Sequence, residues 1–216
     1  MIQTVLGALN GGFLQTLKLF AVTLAGALPL GLLLSFCSMS RFKPLRWLTR
    51  TLVWIVRGTP LMLQLLVVFF GPYYLFGMSL SNSYRFYAVI IGFSLNYAAY
   101  FAEIYRAGIE SIPVGQYEAA EVLGYSKAQT FVKIILPQAV KNILPALGNE
   151  FVTMIKETSL ASTFYIGELM YTRTLLMSTK FYAWQPLIII AAIYFVVTFV
   201  LSKGIQYMEK RMSVSD

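Results

Sequence analysis

The sequence predicts an all-α integral membrane protein of about five transmembrane helices with one short helix on the cytoplasmic side. Three observations predict it. Of the 216 residues, 58% are apolar and only 12% are charged, about half the charged share usual in a soluble domain. The apolar residues fall into stretches long enough to cross a bilayer. The 17 lysines and arginines, against 9 acids, cluster between those stretches, as topology signals do. With 16 Phe, 14 Tyr and 3 Trp besides, a soluble domain of this length could not bury its apolar surface, whereas a bilayer accepts it. The length allows a single membrane domain over 1–216.

A membrane helix needs roughly 20 mainly apolar residues. The first stretch runs from about Leu14 to Met39, with Lys18 near its start and no further charge before Arg41. It has no basic start and no small-x-small cleavage site, so it reads as a retained helix rather than a leader. The second covers about 58–78 and is uncharged from Gly58 to Tyr84. The third starts near Tyr84 and continues through Glu103 and Arg106 to about Glu110. The fourth, about 131–158, carries Lys141, Glu150 and Lys156, with Pro137 and Pro145 as expected kinks; neighbouring helices can satisfy the carbonyls that proline frees. The fifth covers about 184–208. The segment from about Ser159 to Tyr182 mixes apolar and polar residues and predicts a short helix rather than a sixth crossing. Tyr73, Tyr74, Tyr182 and Trp184 read as interfacial aromatics. Met39, Met154 and Met170 read as packing residues.

Arg41, Lys43, Arg46 and Arg50 lie between the first two stretches, Lys127 and Lys133 after the third, and Lys203, Lys210 and Arg211 after the fifth. The opposite connections hold Arg85, Arg173 and Lys180. The positive-inside rule then puts the amino terminus outside and the carboxyl terminus in the cytoplasm. An odd number of crossings satisfies that arrangement.

Several chemistries are excluded by composition. A single cysteine, Cys37, makes no intrachain disulfide, and with no histidine the usual Cys/His zinc sites and Ser-His catalysis are gone. No metal site is expected. No GxxxxGK[ST] phosphate loop occurs, so any ATP and magnesium belong to another chain. The net charge of +8 serves topology rather than nucleic acid.

The polar segment after the third helix is Ile112-Pro113-Val114-Gly115-Gln116-Tyr117-Glu118-Ala119-Ala120-Glu121-Val122-Leu123-Gly124-Tyr125-Ser126. Pro113 and Gly115 break the incoming helix. Glu118 to Leu123 are good helix formers, and Gly124 suits a left-handed helix end. Ser126 with Gln129 fits a capping box for the next helix. The outcome is a short helix over about 116–124, fixed between two turns. Ala119 and Ala120 would offer a small, flat face to another protein. Alternatively it is a connector lying on the membrane surface.

Glu118-Ala119-Ala120, then Gly124, then Ile135-Leu136-Pro137, resembles the EAA motif of ABC importer permeases. Ser111-Ile112-Pro113 with Gly115-Gln116, Arg57-Gly58-Thr59-Pro60, Ala99-Tyr100 with Ala102-Glu103-Ile104 and Arg106, and Lys156-Glu157-Thr158-Ser159-Leu160 are similar to the polar amino acid branch of that family. The resemblance runs from about Gly12 to Met208. It implies the type I ABC importer permease fold and a subunit without enzymatic activity of its own. It further implies a second permease chain, identical or closely related, two cytoplasmic ATP-binding subunits, and an external amino-acid-binding protein. In that setting Glu118, Ala119, Ala120, Leu123 and Gly124 couple to the ATPase.

An ionisable residue in a membrane helix costs about 2.5 kcal/mol or more and usually faces a bundle interior or a wet cavity. Asn96, Tyr100 and Glu103 share one helical face, with Arg106 one turn on. Glu150, Thr153 and Glu157 share another. The functional reading is that Glu103 and Glu150, with Tyr100, Asn96 and Thr153, line a substrate path. A carboxylate binds the ammonium of any amino acid, and two suit arginine, lysine or histidine. The structural reading is that they pair with Arg106, Lys141 or Lys156. The resemblance carries an acid at Glu103 whatever the cargo. Thr59 is expected to cap a helix that starts at Pro60. Arg57, near the cytoplasmic interface, meets lipid phosphate or a substrate carboxylate, and Gln64 adds a polar contact. A secondary transporter or channel would share the buried charges but usually has internal repeats and more crossings. A membrane enzyme would need a catalytic signature, which is missing here.

Overall fold

The computed structural model describes residues 2–180 and 184–213; the expected interfacial Tyr182 lies outside them. The chain begins with α1 (Ile2–Ser38), a single 37-residue helix. At 1.5 Å per residue it is about 55 Å long, so it crosses a roughly 30 Å hydrocarbon core only by tilting or projecting. Its start at Ile2 lies well before the expected Leu14, because the intervening residues Leu6, Ala8 and Leu9 continue a good helical run.

Residues 43–57, read from sequence as a basic connection, form a helix, α2 (Lys43–Arg57), with Pro44 in its first turn. Thr49 and Val53 are buried and Arg46 and Val56 half-buried, at helical spacings of three and four. After Gly58-Thr59-Pro60 comes α3 (Leu61–Phe76), bent 108° from α2. Proline lacks an N–H and pushes its predecessor out of the helical region, which forces the break. Thr59 does not cap α3. Pro60 itself is the residue before the first turn, at φ −62° and ψ 134°. That leaves the Thr59 hydroxyl to donate backward to Ile55 and Val56 at the end of α2.

The central element is α4 (Asn82–Glu110), which packs against α1, α2, α3 and α7. The approach of α1 is close at Gly31, where a Cβ would lie 2.7 Å from the Phe101 Cβ and 3.0 Å from the Ala98 carbonyl. Leu19, Leu65, Phe93, Tyr97, Phe101 and Met154 form the main core around it.

Next is the short helix α5 (Val114–Val122). Pro113 ends the preceding turn, but Gly115 lies inside α5 rather than in the break. The first turn of a helix tolerates Gly because its N–H groups lack helical partners anyway. Gly124 closes α5 at φ +78°, a conformation that costs other residues about 1–2 kcal/mol. Ser126 and Gln129 form a reciprocal capping box that starts α6 (Lys127–Thr130). A π-helical turn, Phe131–Ile135, joins it to α7 (Leu136–Glu157) without interruption. Pro137 would clash with the carbonyl of residue 133 in a regular helix, and the wider turn directly before it relieves that clash.

A 3₁₀ segment (Thr158–Phe164) leads to α8 (Leu169–Lys180), and α9 runs from Trp184 to Ser213, past the expected end near 208. At 12 residues, about 18 Å, α8 is too short to cross a bilayer. Among the described residues, α1, α4 and α9 are long and apolar enough to cross a membrane, and the bent pair α2–α3 makes a fourth. The 22-residue α7 has the length for a fifth, with Lys141, Glu150, Lys156 and Glu157 along it.

The turn before α8 holds Glu168, fully buried against α1 and α9. Its carboxylate accepts the amide N–H groups of Met170 at 2.8 Å and Tyr171 at 2.7 Å. Burial nevertheless outweighs those bonds and pushes the carboxyl up to about 7 from an ordinary 4.5. The folded chain therefore holds a proton that the unfolded chain releases. The resulting stabilisation is complete below about pH 4.5 and is lost as pH rises to about 7, where the folded carboxyl itself ionises. The thermal midpoint of the purified chain should fall across that window, and Glu168→Gln should flatten the fall. Parallel curves for the two proteins would contradict this.

Candidate functional site

The break between α2 and α3 opens a cavity of about 300 Å³. One wall is the break itself, Thr59, Pro60 and Leu61; α4 supplies Asn96, Tyr97 and Tyr100; α7 supplies Glu150, Thr153 and Glu157. These residues come from three sequence regions that only packing unites. The first N–H groups of α3, at Leu61 and Met62, have no preceding helical carbonyl to meet. They and the helix dipole give that wall a positive character. The facing wall carries two carboxylates, Glu150 and Glu157.

Hydrogen bonds hold the frame. Gln64 Nε2 donates to the carbonyls of Val56 (2.7 Å) and Thr59 (3.0 Å), tying the two halves of the break together. Gln64 Oε1 accepts from Asn96 Nδ2 at 2.9 Å, which fixes the break to α4. The Tyr97 hydroxyl donates to Glu157 Oε2 at 2.5 Å. Thr153 lines the cavity and donates its hydroxyl to the Asn149 carbonyl. Arg57 stands at the edge, its guanidinium 5.3 Å from the centre of the Tyr100 ring.

Asn96, Tyr100, Glu150 and Thr153 thus share one cavity, with Gln64 and Arg57 around it. Glu103 does not enter it. Glu103 is bound by Arg106, which also holds Glu110, and it lines two clefts further along α4. One, of about 290 Å³, includes Arg50, Arg57 and Arg106; the other, of about 610 Å³, includes Lys141 and Asn142. Of the polar side chains in the cavity, Tyr97 was not singled out from sequence, and Glu157 was placed on the Glu150 face without being assigned to the path. Glu157 shares the Glu150 face at spacings of three and four, which was a usable signal. Nothing local marks Tyr97 among the aromatics of α4.

The short helix α5 is anchored from beneath. Ile112 is buried with Ile135, Ala139 and Ile143. Gln138 on α7 donates to Gln116 at 3.3 Å, and Asn142 to Ser111 at 2.9 Å. Ala120 is only 1% exposed, so it does not share an outer face with Ala119; the Tyr125 amide closes on its carbonyl and the turn folds over it. The surface that α5 presents consists of Glu118, Ala119 and Glu121 with Val122 (88% exposed) and Leu123 (73%). From Gln138 to Glu150 is 12 residues of one helix, about 18 Å. That stretch of α7 holds Pro145 and leads from the α5 contact to the cavity wall.

The profile of the family described as "binding-protein-dependent transport system inner membrane component" matches residues 27–214. The arginine transport system permease protein ArtQ of Bacillus subtilis (strain 168) is 37% identical over 205 residues, 95% of this chain and 92% of the relative. The L-cystine transport system permease protein TcyB of the same organism is 36% identical, over 94% of this chain and 86% of the relative. Among solved structures, an amino acid ABC transporter crystallised with histidines superposes with a TM-score of 0.90 at 38% identity, covering 97% of this chain and 96% of that one. The MetNI methionine transporter in an inward-facing form gives 0.77 at 18% identity, over 98% and 99%, a likeness of fold alone.

Proposed function

The chain belongs to the family of inner membrane components of binding-protein-dependent transport systems, an ABC importer permease subunit by descent, and from that premise we propose that the cavity at the α2–α3 break is its binding site for a polar α-amino acid. The observation that carries this is the polarity of the cavity: an open helix N-terminus on one wall, two carboxylates on the other. A broken membrane helix with its N-terminus toward an anionic group is a recurrent transporter device. The α-carboxylate faces Leu61 and Met62; the α-ammonium faces Glu150 or Glu157. A second carboxylate suits a cationic side chain, which favours arginine, lysine or histidine. The relatives whose names mention arginine and cystine are consistent with an amino acid, without choosing one. Tyr100 and Thr153 form the sides of the cavity, and Asn96 with Gln64 keeps the break in shape. Arg57 stands at the edge of the cavity, and Glu103 lines the cleft beside Lys141 and Asn142 on the way toward the cytoplasm.

The remaining roles follow from the same reading. The carboxyl terminus lies inside, and α7 is the fifth crossing. Two chains, identical or related, face each other and dock through α5 on two ATP-binding subunits, which hold ATP and magnesium. An external binding protein delivers the amino acid. Closure of the ATPases pushes α5, and α7 carries the displacement to Glu150. The Glu118–Gly124 element gives a secondary transporter or channel no advantage, so that reading is not favoured.

The test is to reconstitute the chain with its ATPase and binding-protein partners and to screen amino acids for stimulated ATP hydrolysis. Stimulation by basic amino acids is expected. Stimulation by none of the amino acids would refute the cargo class, and stimulation by neutral ones alone would refute the basic preference.

A further inference from the structure

We propose that α2 is an in-plane interfacial helix whose arginine-lined pocket binds the phosphate of an anionic phospholipid. The proposal is independent of which solute crosses the membrane. Three observations lead to it.

The first is orientation. The bend of 108° between α2 and α3 means that when α3 follows the bilayer normal, α2 lies closer to the plane of the bilayer than to its normal. The second is the exposed face. Trp47 is 69% and Trp54 77% exposed, with Leu48, Leu52 and Ile55 beside them. Lys43, Arg46, Arg50 and Arg57 punctuate the same helix, and residues 41–57 contain no acid. Tryptophan and arginine on a strongly two-faced helix mark a segment that lies at the headgroup level. A second copy of α2 is a poor cover for this face, because symmetric packing would set cations against cations.

The third is the pocket, about 290 Å³, walled by Trp54 and Val53 and by Ser38 at the end of α1, with Arg50, Arg57 and Arg106 converging on it. Arg106 is committed to Glu103 and Glu110. Arg50 donates its Nε to the Ser38 carbonyl at 3.1 Å and lies 3.8 Å from Glu110. Arg57 has no acid within ion-pair distance among the described residues, only the Tyr100 ring. Three guanidiniums against two carboxylates leave one positive charge, which matches the net charge of an anionic phospholipid headgroup and not that of a zwitterionic one. Guanidinium is also the side chain best shaped to hold phosphate oxygens. A lipid is favoured over a free anion because Trp54 and the apolar face continue directly from the pocket, giving the acyl chains a surface to follow.

The experiment uses the full chain with Trp47→Phe and Trp184→Phe, which leaves Trp54 as the single tryptophan of three. It is placed in nanodiscs containing brominated phosphatidylglycerol or brominated phosphatidylcholine at equal mole fraction. A nanodisc exposes both leaflets, so the outcome does not depend on which end of the chain faces the cytoplasm. Quenching of Trp54 should favour phosphatidylglycerol by about fivefold or more, the preference expected of one basic side chain at an anionic surface. Arg50→Gln should remove most of that preference, and inorganic phosphate should leave the quenching unchanged. Equal quenching by both lipids, no quenching by either, or displacement by inorganic phosphate would each overturn the proposal. Should Arg50→Gln fail to fold, the comparison of the two lipids in the parent still decides it, and native mass spectrometry of the unmodified chain checks which lipid is retained.

Discussion

Replacing Leu123 by aspartate abolishes ATP-driven uptake and the stimulation of ATP hydrolysis, by about 100-fold or more, while the chain still inserts at its normal level. Leu123 and Val122 are the largest apolar side chains exposed at the end of α5, and neither contributes to the buried cluster beneath it. Exposure at this level means that the substitution removes little folding free energy. A central apolar contact at an interface is worth roughly 2 kcal/mol or more, and burying an unpaired carboxylate in its place adds a further cost of a few kcal/mol. Each 1.4 kcal/mol is about tenfold. Ala119→Trp should act in the same way through steric exclusion, whereas a bulky residue at the buried Ala120 should first disturb the fold of the α5 turn. Uptake by reconstituted vesicles, scored against the amount of inserted chain, is the measurement. Retained coupling in both the Leu123 and Ala119 variants would mean that α5 is a connector only.

Substituting Glu150 by glutamine weakens uptake of a basic amino acid by about 100-fold, mainly as a loss of apparent affinity. A charge pair in a confined, partly desolvated site is worth roughly 2–5 kcal/mol when one partner is truncated. Glu103→Gln, by contrast, should reduce uptake by less than about tenfold, because Glu103 is held by Arg106 outside the cavity and its loss falls on a helix-surface network rather than on a ligand. The comparison is what matters. If Glu103→Gln proved the more damaging and Glu150→Gln left affinity unchanged, the binding site would belong to the clefts beside α4 rather than to the break.

The expectation that Glu103 and Glu150 act together came from a sound rule, that buried charges face one another or a wet path. The rule identifies which residues are special but not where two helices bring them. Glu150 and Glu157 are one helix face and were legible as such, since periodicity alone places them. Tyr97 was not legible, because its role comes from a contact with Glu157 sixty residues away. The helix α2 was missed for a related reason. Its basic residues satisfy the topology rule whether they lie in a loop or on a helix, and only the buried pair Thr49 and Val53 separates the two.

What the sequence determined by itself is what depends on neighbours in the chain. The apolar stretches follow from the cost of exposing them to water. The Ser126–Gln129 capping box, the left-handed Gly124 and the break before Pro60 follow from backbone sterics and from hydrogen bonds that span four residues or fewer. Only the tertiary structure decided that Ala120 turns inward, that Gln64 and Asn96 clamp the break, and that Glu150 shares a cavity with an open helix end while Glu103 does not. Those outcomes depend on the packing of α4 between its neighbours, set where Gly31 admits Phe101, and a pattern with a period of 3.6 residues holds no information about which helix will lie across from it.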